Sequence, residues 1–339
     1  SQRTTKHVVA DARGQRSADK GLTEHKDDGR ACNNNNQLRN AYFGDLHIHT
    51  ALSLDAYQQD VRTMPKDAYD FARGKEIPFH GTVARINRPL DFAAVTDHSE
   101  YLGDLGRCTS NDDAMYDTEV CDIVRRGGGA AFQVLETAFE AETKGTRAER
   151  VMRAVKILLD SEAPKRNTDL CGEQGKLCAK AEQSGWQKII DAAEDAQDRS
   201  AECNFTTFIG YEYSGIKTGS NYHRNVIFRN AKVPVLPVSY LDAPKDYMLW
   251  QQLNHACLEN IIGCDYLAIP HNSNLSNGKL LTPDYSAAEN PSEEKTLALL
   301  RQKSEPLMEI FQHKGQSECM NDSSDIDAER DELCEFEQV

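Results

Sequence analysis

The stretch YFGDLHIHTALSLDA, residues 42–56, places two histidines at alternate positions inside a short apolar run. Side chains alternate between the two faces of a β-strand, so a strand here predicts that His47 and His49 share one face. Leu46 and Ile48 would then share the opposite, buried face. Imidazole is the commonest metal-binding side chain, and two imidazoles from one strand can converge on one ion. The alternative is an exposed face that carries two histidines by chance. Further candidate ligands elsewhere in the chain would favour the metal site over this alternative.

The composition is that of a folded globular protein. The chain has 339 residues, of which 39% are hydrophobic and 27% are charged. No run of about 18 apolar residues occurs, so we expect neither a transmembrane helix nor a membrane partner. The net charge of −15 disfavours a nucleic-acid surface, because phosphate backbones attract clusters of Lys and Arg. The acidity does not argue against a small phosphorylated substrate, which a buried metal or a few Arg residues can hold, and the oligomeric state stays open.

The ten cysteines indicate disulfide bonds, because their number is even and none forms a C-x-x-C pair. Several lie close together in polar stretches: Cys108 with Cys121, Cys171 with Cys178, and Cys319 with Cys334. Buried thiols of a cytosolic protein are the alternative. The chain begins at Ser1 rather than Met, as it would after removal of a signal peptide or after trimming of the sequence. We expect a periplasmic or secreted protein.

The remaining pattern predicts an α/β domain. Residues 1–38 are polar and aperiodic and are expected to form an arm, whereas residues 39–339 form one domain with helical and loop insertions at about 104–204. Five short apolar runs are typical of buried strands: AYFGDLHIHT, LDFAAVTDH, TTFIGYEYS, DYLAIPHNS and PLMEIFQHK. Helical periodicity occurs at 130–162, 186–197, 247–261 and 292–303. Strands that alternate with helices predict a parallel sheet.

Each of the five runs ends in a histidine or an acid. In a parallel α/β barrel the C-terminal ends of the strands meet at one rim, where active sites lie. The predicted metal ligands at this rim are His47, His49, Asp55, His98, Glu212, His271 and His313. A mixed set of imidazoles and carboxylates suits a cluster of two or three divalent ions, Zn, Mn or Fe. His313 could equally be a structural histidine, and Asp55, with Ser53, could serve the turn or brace the histidine pair.

Such a cluster predicts hydrolysis, most naturally of a phosphoester, because it activates water and neutralises phosphoryl charge. His223 and Asp97 are the candidates for proton relay, and Asp97 also for the orienting partner of His98. Arg224 is the candidate for a bidentate contact with the phosphate. The structural alternatives are a turn cap for Asp97 and a salt bridge on a strand face for Arg224.

The motifs also resemble a known family. GDLHIHT followed by AVTDHSEY resembles the opening motifs of the PHP superfamily, named for polymerase and histidinol phosphatase. Together with GYEYSG, HRNVIFRN and PLMEIFQHKGQSE, they are similar to a large, often exported branch catalogued as a domain of unknown function. The resemblance covers roughly residues 38–337.

The resemblance implies a distorted seven-stranded (β/α)7 barrel with up to three metal ions in its mouth, and phosphoester hydrolysis. It carries metal ligation onto His47, His49, His98, Glu212 and His271, and a ligand or acid role onto His223; Asp55 matches the position after the histidine pair. The superfamily pattern ends with an Asp-x-His motif, but here D-x-H occurs only at Asp45-Leu46-His47. The barrel is therefore expected to be incomplete at its C-terminal end.

Two other functions remain open from the sequence. Related barrels with His-x-His on the first strand are metal-dependent amidohydrolases, but a lysine at a strand end would be expected there. A metal-binding barrel without catalytic activity is the second alternative, which the absent late motif leaves open.

Overall fold

The computed structural model describes residues 32–33, 36, 38–127, 131, 135, 166–217, 220–276, 279–281 and 288–312. The strands are β1 (Gly44–Ile48), β2 (Ile77–Phe79), β3 (Thr82–Ala84), β4 (Phe92–Val95), β5 (Thr206–Tyr213), β6 (Ile216–Lys217), β7 (Ser220–Asn221), β8 (Arg224–Phe228) and β9 (Tyr266–Pro270). The helices are α1 (Leu54–Gln58), α2 (Pro65–Ala72), α3 (Leu102–Thr109), α4 (Glu119–Arg126), α5 (Thr168–Cys171), α6 (Ala179–Ala196), α7 (Asp246–Leu253) and α8 (Pro291–Ser304). A 3₁₀ turn (Glu173–Gly175) precedes α6, and a π-helical segment (Asn254–Glu259) continues α7.

The central sheet has five strands in the order β1-β4-β5-β8-β9. β1, β4 and β5 are parallel neighbours, whereas β8 is antiparallel to both β5 and β9. Four of the five strands therefore run in one direction, and the fold is a mixed α/β fold. The sequence predicted four of these strands but not β8, which returns directly after β5. A short connection suffices for an antiparallel return, whereas a parallel strand needs a long crossover.

The seven-stranded barrel is not confirmed, because the strands in the described residues form an open sheet. The fifth predicted strand is absent: residues 305–311 form neither a helix nor a strand. This segment nevertheless lies beside β9, since the Glu309 N–H donates to the Pro270 carbonyl at 2.9 Å. The sheet is curled, because the Asn225 amide on β8 donates to the Leu46 carbonyl on β1, three positions away in strand order, at 3.2 Å.

The two faces of the sheet have different cores. On the convex face, alternate residues such as Val95, Tyr211 and Val226 pack with helical residues that include Trp186 and Leu249. The concave face carries a smaller cluster with one residue from each strand: Leu46, Ala94, Phe208, Ile227 and Ile269. Strand side chains alternate between the two faces. Polar residues an even number of positions from this small cluster therefore also face the concave side, at one end of the sheet.

A β-bulge in β1 decides which side chains face the concave side. Asp45 pairs with Ala93 and Ile48 pairs with Val95, so two residues of β1 lie opposite one residue of β4. Leu46 consequently packs in the concave cluster, whereas Ile48 packs against the convex core. The expectation that Leu46 and Ile48 share a face is therefore wrong, because simple alternation does not hold across a bulge.

Three of the predicted helices are confirmed: α6, α7 with its π-helical segment, and α8. α8 begins after Asn290, whose side chain accepts from the N–H groups of Ser292 and Glu293, and has Pro291 in its first turn. The helix predicted at 130–162 lies outside the described residues, except for Ala131 and Leu135.

Four disulfides cross-link the domain: Cys32–Cys203, Cys108–Cys121, Cys171–Cys178 and Cys257–Cys264. They confirm the disulfide chemistry expected from the cysteine content, while Cys319 and Cys334 lie outside the described residues. In the described part of the chain, no helix has the length and apolar character needed to cross a membrane.

Candidate metal centre

Glu212, at the C-terminal end of β5, is the centre of the candidate site. Its side chain is 1% exposed. Oε2 lies 3.2 Å from His47 Nε2 and 2.9 Å from His49 Nε2. Oε1 lies 2.5 Å from His223 Nδ1. One buried carboxylate therefore contacts three imidazoles.

Two further imidazoles complete the ring around Glu212. His98 Nδ1 and His271 Nδ1 lie 3.7 Å and 3.8 Å from Oε1. His98 is held beside Glu212 because the backbone hydrogen bonds between β4 and β5 continue beyond Val95, the last residue of β4. The Glu212 N–H donates to the Asp97 carbonyl at 3.0 Å, and the Ser99 N–H donates to the Glu212 carbonyl at 2.9 Å.

The topology explains why these residues meet. The histidines of β1, β4 and β9 lie at the C-terminal ends of strands that run in one direction. His223 instead precedes β8, and its N-terminal end lies at the same rim because β8 is antiparallel. His223 therefore lies at the same end of the sheet as the histidines that follow β1, β4 and β9.

Four of the five histidines also form a hydrogen bond, through one ring nitrogen, with a polar side chain outside the ring around Glu212. The pairs are His47 Nδ1 with Glu309 Oε1 (2.8 Å), His49 Nδ1 with Ser53 Oγ (2.7 Å), His98 Nδ1 with Ser214 Oγ, and His271 Nε2 with Asn225 Oδ1 (3.3 Å). Outer hydrogen bonds of this kind fix the ring orientation and the tautomer of histidines that bind metals.

The electrostatics are dominated by the buried carboxylates. Burial disfavours the imidazolium of His47, but Glu212 and Glu309 outweigh it and raise the pKa of His47 to about 9. In the same way, Glu212 and Asp55 overcome burial and raise the pKa of His98 to about 10. Burial lowers the pKa of His223 below its ordinary value. The surrounding histidines hold the pKa of Glu212 well below its usual range despite burial.

Asp55 lies at the more open end of the cluster, with a side chain that is 46% exposed. Its Oδ2 lies 3.4 Å from His98 Nε2, and its Oδ1 lies 3.6 Å from His49 Nδ1. Although burial opposes ionisation, the His98 and His49 charges lower the pKa of Asp55 far below its ordinary value. Asp55 thus adds a further carboxylate to the centre, beside Glu212 and Glu309.

The donor set fits metal ions. Four overlapping groups have ligand atoms within 4.8 Å of one another: His47–His49–Glu212, His47–His271–Glu309, His49–Asp55–His98 and His98–Glu212–His223. His223 Nε2 is buried and has no hydrogen-bond partner within the described part of the chain. A buried imidazole nitrogen without a partner is costly unless a ligand satisfies it. Nitrogen and carboxylate donors suit Zn, Mn or Fe.

A comparison with protein-family models agrees with this sequence pattern. The model described as "Protein of unknown function (DUF3604)" matches residues 36–339. The chain belongs to the DUF3604 family. No curated protein and no solved structure matches the chain.

In this DUF3604 chain, Asp97 is not the orienting partner of the His98 ring. Asp97 is 1% exposed, and its two oxygens accept hydrogen bonds from the Thr50 N–H (2.5 Å) and the Thr50 hydroxyl (2.6 Å). The His98 ring contacts Ser214 and Asp55 instead. The correction follows from alternation, since consecutive residues at the end of β4 point to opposite faces. Burial raises the pKa of Asp97 to about 6.

The structure also corrects the interpretation of Arg224 as a phosphate contact. Arg224 is fully buried, and its Nε donates to Glu305 Oε1 at 2.7 Å. Its Nη1 donates to the Tyr222 carbonyl at 2.5 Å, and its Nη2 lies 3.5 Å from Asp246. Asn225, one position later, faces the histidines, so Arg224 faces the helices behind the sheet.

Three residues of the candidate site were not predicted to contact the histidines: Glu309, Ser214 and Asn225. Glu309 could have been found, because it is an acid inside the fifth apolar run, as Glu212 is inside the third. The structure brings Glu309 to His47, whereas His313 lies outside the described residues. Ser214 and Asn225 carry no comparable signal in the sequence, since serine and asparagine are common in turns and at strand ends.

Proposed function

We propose that this protein is a metal-dependent hydrolase of the PHP superfamily that cleaves small phosphomonoesters or phosphodiesters in the periplasm or outside the cell. The proposal rests on one observation above all: five imidazoles surround one buried carboxylate, and four of them are held by outer hydrogen bonds. The four disulfides support an oxidising compartment. We infer two or three Zn, Mn or Fe ions from the four overlapping ligand groups.

The ions would be held by the histidine and carboxylate groups described above. When bound, they would lower the pKa of a water molecule and neutralise the charge of the transferring phosphoryl group. Glu212 would be a ligand shared by two of these groups, since Oε2 lies near His47 and His49 while Oε1 lies near His223. Asp55 and His98 would complete an outer position nearer to solvent.

His223 is the candidate for proton transfer. Its lowered pKa keeps the ring neutral near pH 7, so the ring is able to accept a proton. The buried Nε2 is the atom at which that proton would be held, so in this role His223 would hold no ion and the other three ligand groups would hold the metal. Arg224 takes no part in this proposal, because it lies behind the sheet and is paired with Glu305.

The experiment measures metal content and hydrolysis in the same preparations. Protein purified without chelator or metal-affinity resin is analysed by mass spectrometry for Zn, Mn and Fe. The same samples are assayed with 4-nitrophenyl phosphate and bis(4-nitrophenyl) phosphate. Glu212→Gln is the test variant. Glu259→Gln is the matched control, because Glu259 is exposed and also pairs with a histidine, His255, at 3.0 Å.

We expect two or more ions per chain in the wild type and in Glu259→Gln, and loss of both metal and hydrolysis in Glu212→Gln. Absence of metal from the wild type, or metal content that Glu212→Gln leaves unchanged, would contradict the proposed centre. Metal that depends on Glu212, without hydrolysis of either ester, would favour the non-catalytic metal-binding protein.

A further inference from the structure

The bulge in β1 lies directly beside the candidate centre. Leu46 and His47 are the two residues that lie opposite Ala94 of β4. Leu46 packs in the concave cluster, and the next side chain, His47, reaches Glu212 on the same side of the sheet at 3.2 Å. Consecutive side chains share a face only where the alternation of a strand is interrupted. The bulge therefore allows Leu46 to fill the concave core while His47 enters the centre.

Thr96 contacts the bulge from the end of β4. It directly follows the strand, and its side chain is fully buried. Its hydroxyl accepts from the Ile48 N–H at 3.2 Å and donates to the Leu46 carbonyl at 3.4 Å. Its own N–H donates to the Ile48 carbonyl at 2.8 Å. A single side chain thus contacts the backbone on both sides of His47.

Gly210 on β5 explains why the Thr96 hydroxyl faces β1. A Cβ added at Gly210 would lie only 3.1 Å from the Thr96 Cγ2. The Thr96 methyl group therefore occupies the space that the glycine leaves on the β5 side. A β-branched side chain has few allowed rotamers, so a fixed methyl group also fixes the hydroxyl.

Asp45 contacts the bulge from within β1. Its side chain is exposed, and its Oδ1 accepts from the His47 N–H at 2.9 Å. Aspartate often accepts in this way from the backbone two residues further along the chain. The Asp-x-His match at Asp45-Leu46-His47 thus has a backbone role in this structure.

We propose that Thr96 and Asp45 are positioning residues, which hold the bulge of β1 and thereby place His47 against Glu212. Thr96 holds the backbone on either side of His47, and Asp45 holds the His47 N–H itself. The consequence for metal binding rests on the proposed function. The hold on the bulge is a property of the metal-free protein.

The proposal affects only part of the centre. His47 belongs to two ligand groups, one with His49 and Glu212 and one with His271 and Glu309. It is absent from the group formed by His49, Asp55 and His98. Loss of the bulge contacts should therefore weaken some metal equivalents and spare others, whereas a general loss of stability would weaken all of them.

Three variants and one control separate these outcomes. Thr96→Val removes the hydroxyl and keeps the shape, and Thr96→Ser restores the hydroxyl. Asp45→Ala is the second test variant, since Asp45 is exposed and its replacement leaves no cavity. Thr207→Val is the matched control, because Thr207 lies on β5 and its hydroxyl donates to a backbone carbonyl of α6, that of Ala193, at 2.7 Å.

Amide hydrogen exchange in metal-free protein tests the hold on the bulge. We expect Thr96→Val to speed exchange of the Ile48 amide by about 5- to 10-fold, the factor that corresponds to one net hydrogen bond. Thr96→Ser should restore the wild-type rate, and Asp45→Ala should speed exchange of the His47 amide similarly. Thr207→Val should leave both amides unchanged. A wild-type rate at the amide concerned overturns the role of the residue replaced.

Zinc competition with a chromophoric chelator tests the consequence for the centre. We expect Thr96→Val and Asp45→Ala each to weaken at least one zinc equivalent by about 10-fold, the lower end of the loss when groups that orient ligands are removed. At least one equivalent should keep its affinity, and Thr96→Ser and Thr207→Val should bind zinc as the wild type does. Urea denaturation measures the stability lost in each variant.

Wild-type zinc affinity in Thr96→Val or Asp45→Ala overturns the positioning role of that residue. A uniform loss over all equivalents that Thr207→Val shares at equal stability overturns it as well. If the wild type binds no zinc, the proposed function fails, and hydrogen exchange still decides whether the two residues hold the bulge.

Discussion

The histidines at the centre carry protons that a metal ion would have to displace. The pKa values of His47 and His98 are raised to about 9 and about 10, so both rings are charged at pH 7.5. Burial alone would have the opposite effect on an imidazole. The pKa values are raised because the attraction of each imidazolium to the carboxylates of Glu212, Asp55 and Glu309 outweighs the desolvation that burial imposes.

We predict that zinc binding to metal-free protein at pH 7.5 releases about two protons per chain, because ligand imidazoles must be neutral. The zinc affinity should rise with pH through the range in which His47 and His98 lose their protons. Calorimetric titrations in buffers with different ionisation enthalpies measure the number. Binding without proton release would show that these two rings are not ligands.

At the residue scale, the sequence predicted most of the cluster and misplaced two members. His47, His49, His98, Glu212 and His271 meet because strand ends share a rim, which is a property of the topology and not of side-chain detail. Arg224 and Asp97 depend on which face of a strand they occupy. A shift of one residue reverses that face, as the contrast between Arg224 and Asn225 shows.

Among the elements, α3 and α6 pack closely through glycines. A Cβ added at Gly103 would lie 2.7 Å from the Cys178 carbonyl oxygen and 3.1 Å from the Glu182 Cβ. A Cβ added at Gly106 would lie 3.2 Å from the Ala181 Cβ, a methyl group. An added methyl group therefore has less space at position 103 than at position 106.

Gly103→Ala should lower the free energy of unfolding by about 1–3 kcal/mol, the usual cost of overpacking. Gly106→Ala should cost less, because the contact is longer and alanine gains up to about 1 kcal/mol of helix propensity over glycine. Urea denaturation of both variants measures the difference. Equal stability of Gly103→Ala and the wild type would show that the helices separate without cost.

Arg224 links β8 to the helices behind it. It contacts Glu305, which directly follows α8, and Asp246, the first residue of α7. The same Glu305 oxygen accepts from the Trp250 indole at 2.8 Å. The guanidinium therefore belongs to a buried polar network on the convex side of the sheet.

Arg224→Met should destabilise the protein by about 3–5 kcal/mol, because it removes the buried charge that faces both Glu305 and Asp246. In the described part of the chain, Glu305 then keeps only one cationic partner, Arg301, whose Nε lies 3.3 Å from its Oε2. The double variant Arg224→Met/Glu305→Gln should recover part of the loss. Arg229→Met is the control, since Arg229 directly follows β8 but is 78% exposed, and little change is expected there. Stability is measured by urea denaturation, and unchanged stability of Arg224→Met would show that the buried network contributes nothing measurable to folding.

At the element scale, the sequence predicts where strands and helices lie better than how strands are oriented. The period of the hydrophobic pattern identifies β1, β4, β5 and β9, but a buried strand has the same pattern in either direction. The antiparallel placement of β8 depends on the short connection from β5, which includes the β6–β7 hairpin. The bulge in β1 has no local signal of comparable strength.

For the whole molecule, the disulfides differ greatly in the length of chain that they close. Cys32–Cys203 spans 171 positions, whereas Cys257–Cys264 spans 7. Closing a loop removes entropy from the unfolded chain, and the effect grows with loop length. The long bond also attaches the end of the predicted N-terminal arm to the segment before β5.

Replacing both cysteines of Cys32–Cys203 by serine should lower the free energy of unfolding more than the same change at Cys257–Cys264. The chain-entropy model gives about 5 kcal/mol for the long loop and about 2.5 kcal/mol for the short one. Urea denaturation under non-reducing conditions compares the two double variants. A larger loss from Cys257–Cys264 would mean that native packing outweighs loop entropy here.

The overall architecture was only partly predictable, because it depends on contacts far apart in sequence. The α/β class and a mostly parallel sheet follow from alternating strands and helices. The insertion of β8 between β5 and β9 and the curl that joins Asn225 to Leu46 are long-range features without a local signal. The segment with Glu309 likewise reaches His47 from 262 residues away.

The Cys32–Cys203 bond has a consequence for limited proteolysis. A single cut anywhere between residues 33 and 202 leaves two fragments joined through this bond. A cut between His98 and residue 202 would place His47, His49 and His98 on one fragment and Glu212 on the other. The nicked protein would migrate as one band on a non-reducing gel and would separate into two bands only after the addition of a reductant.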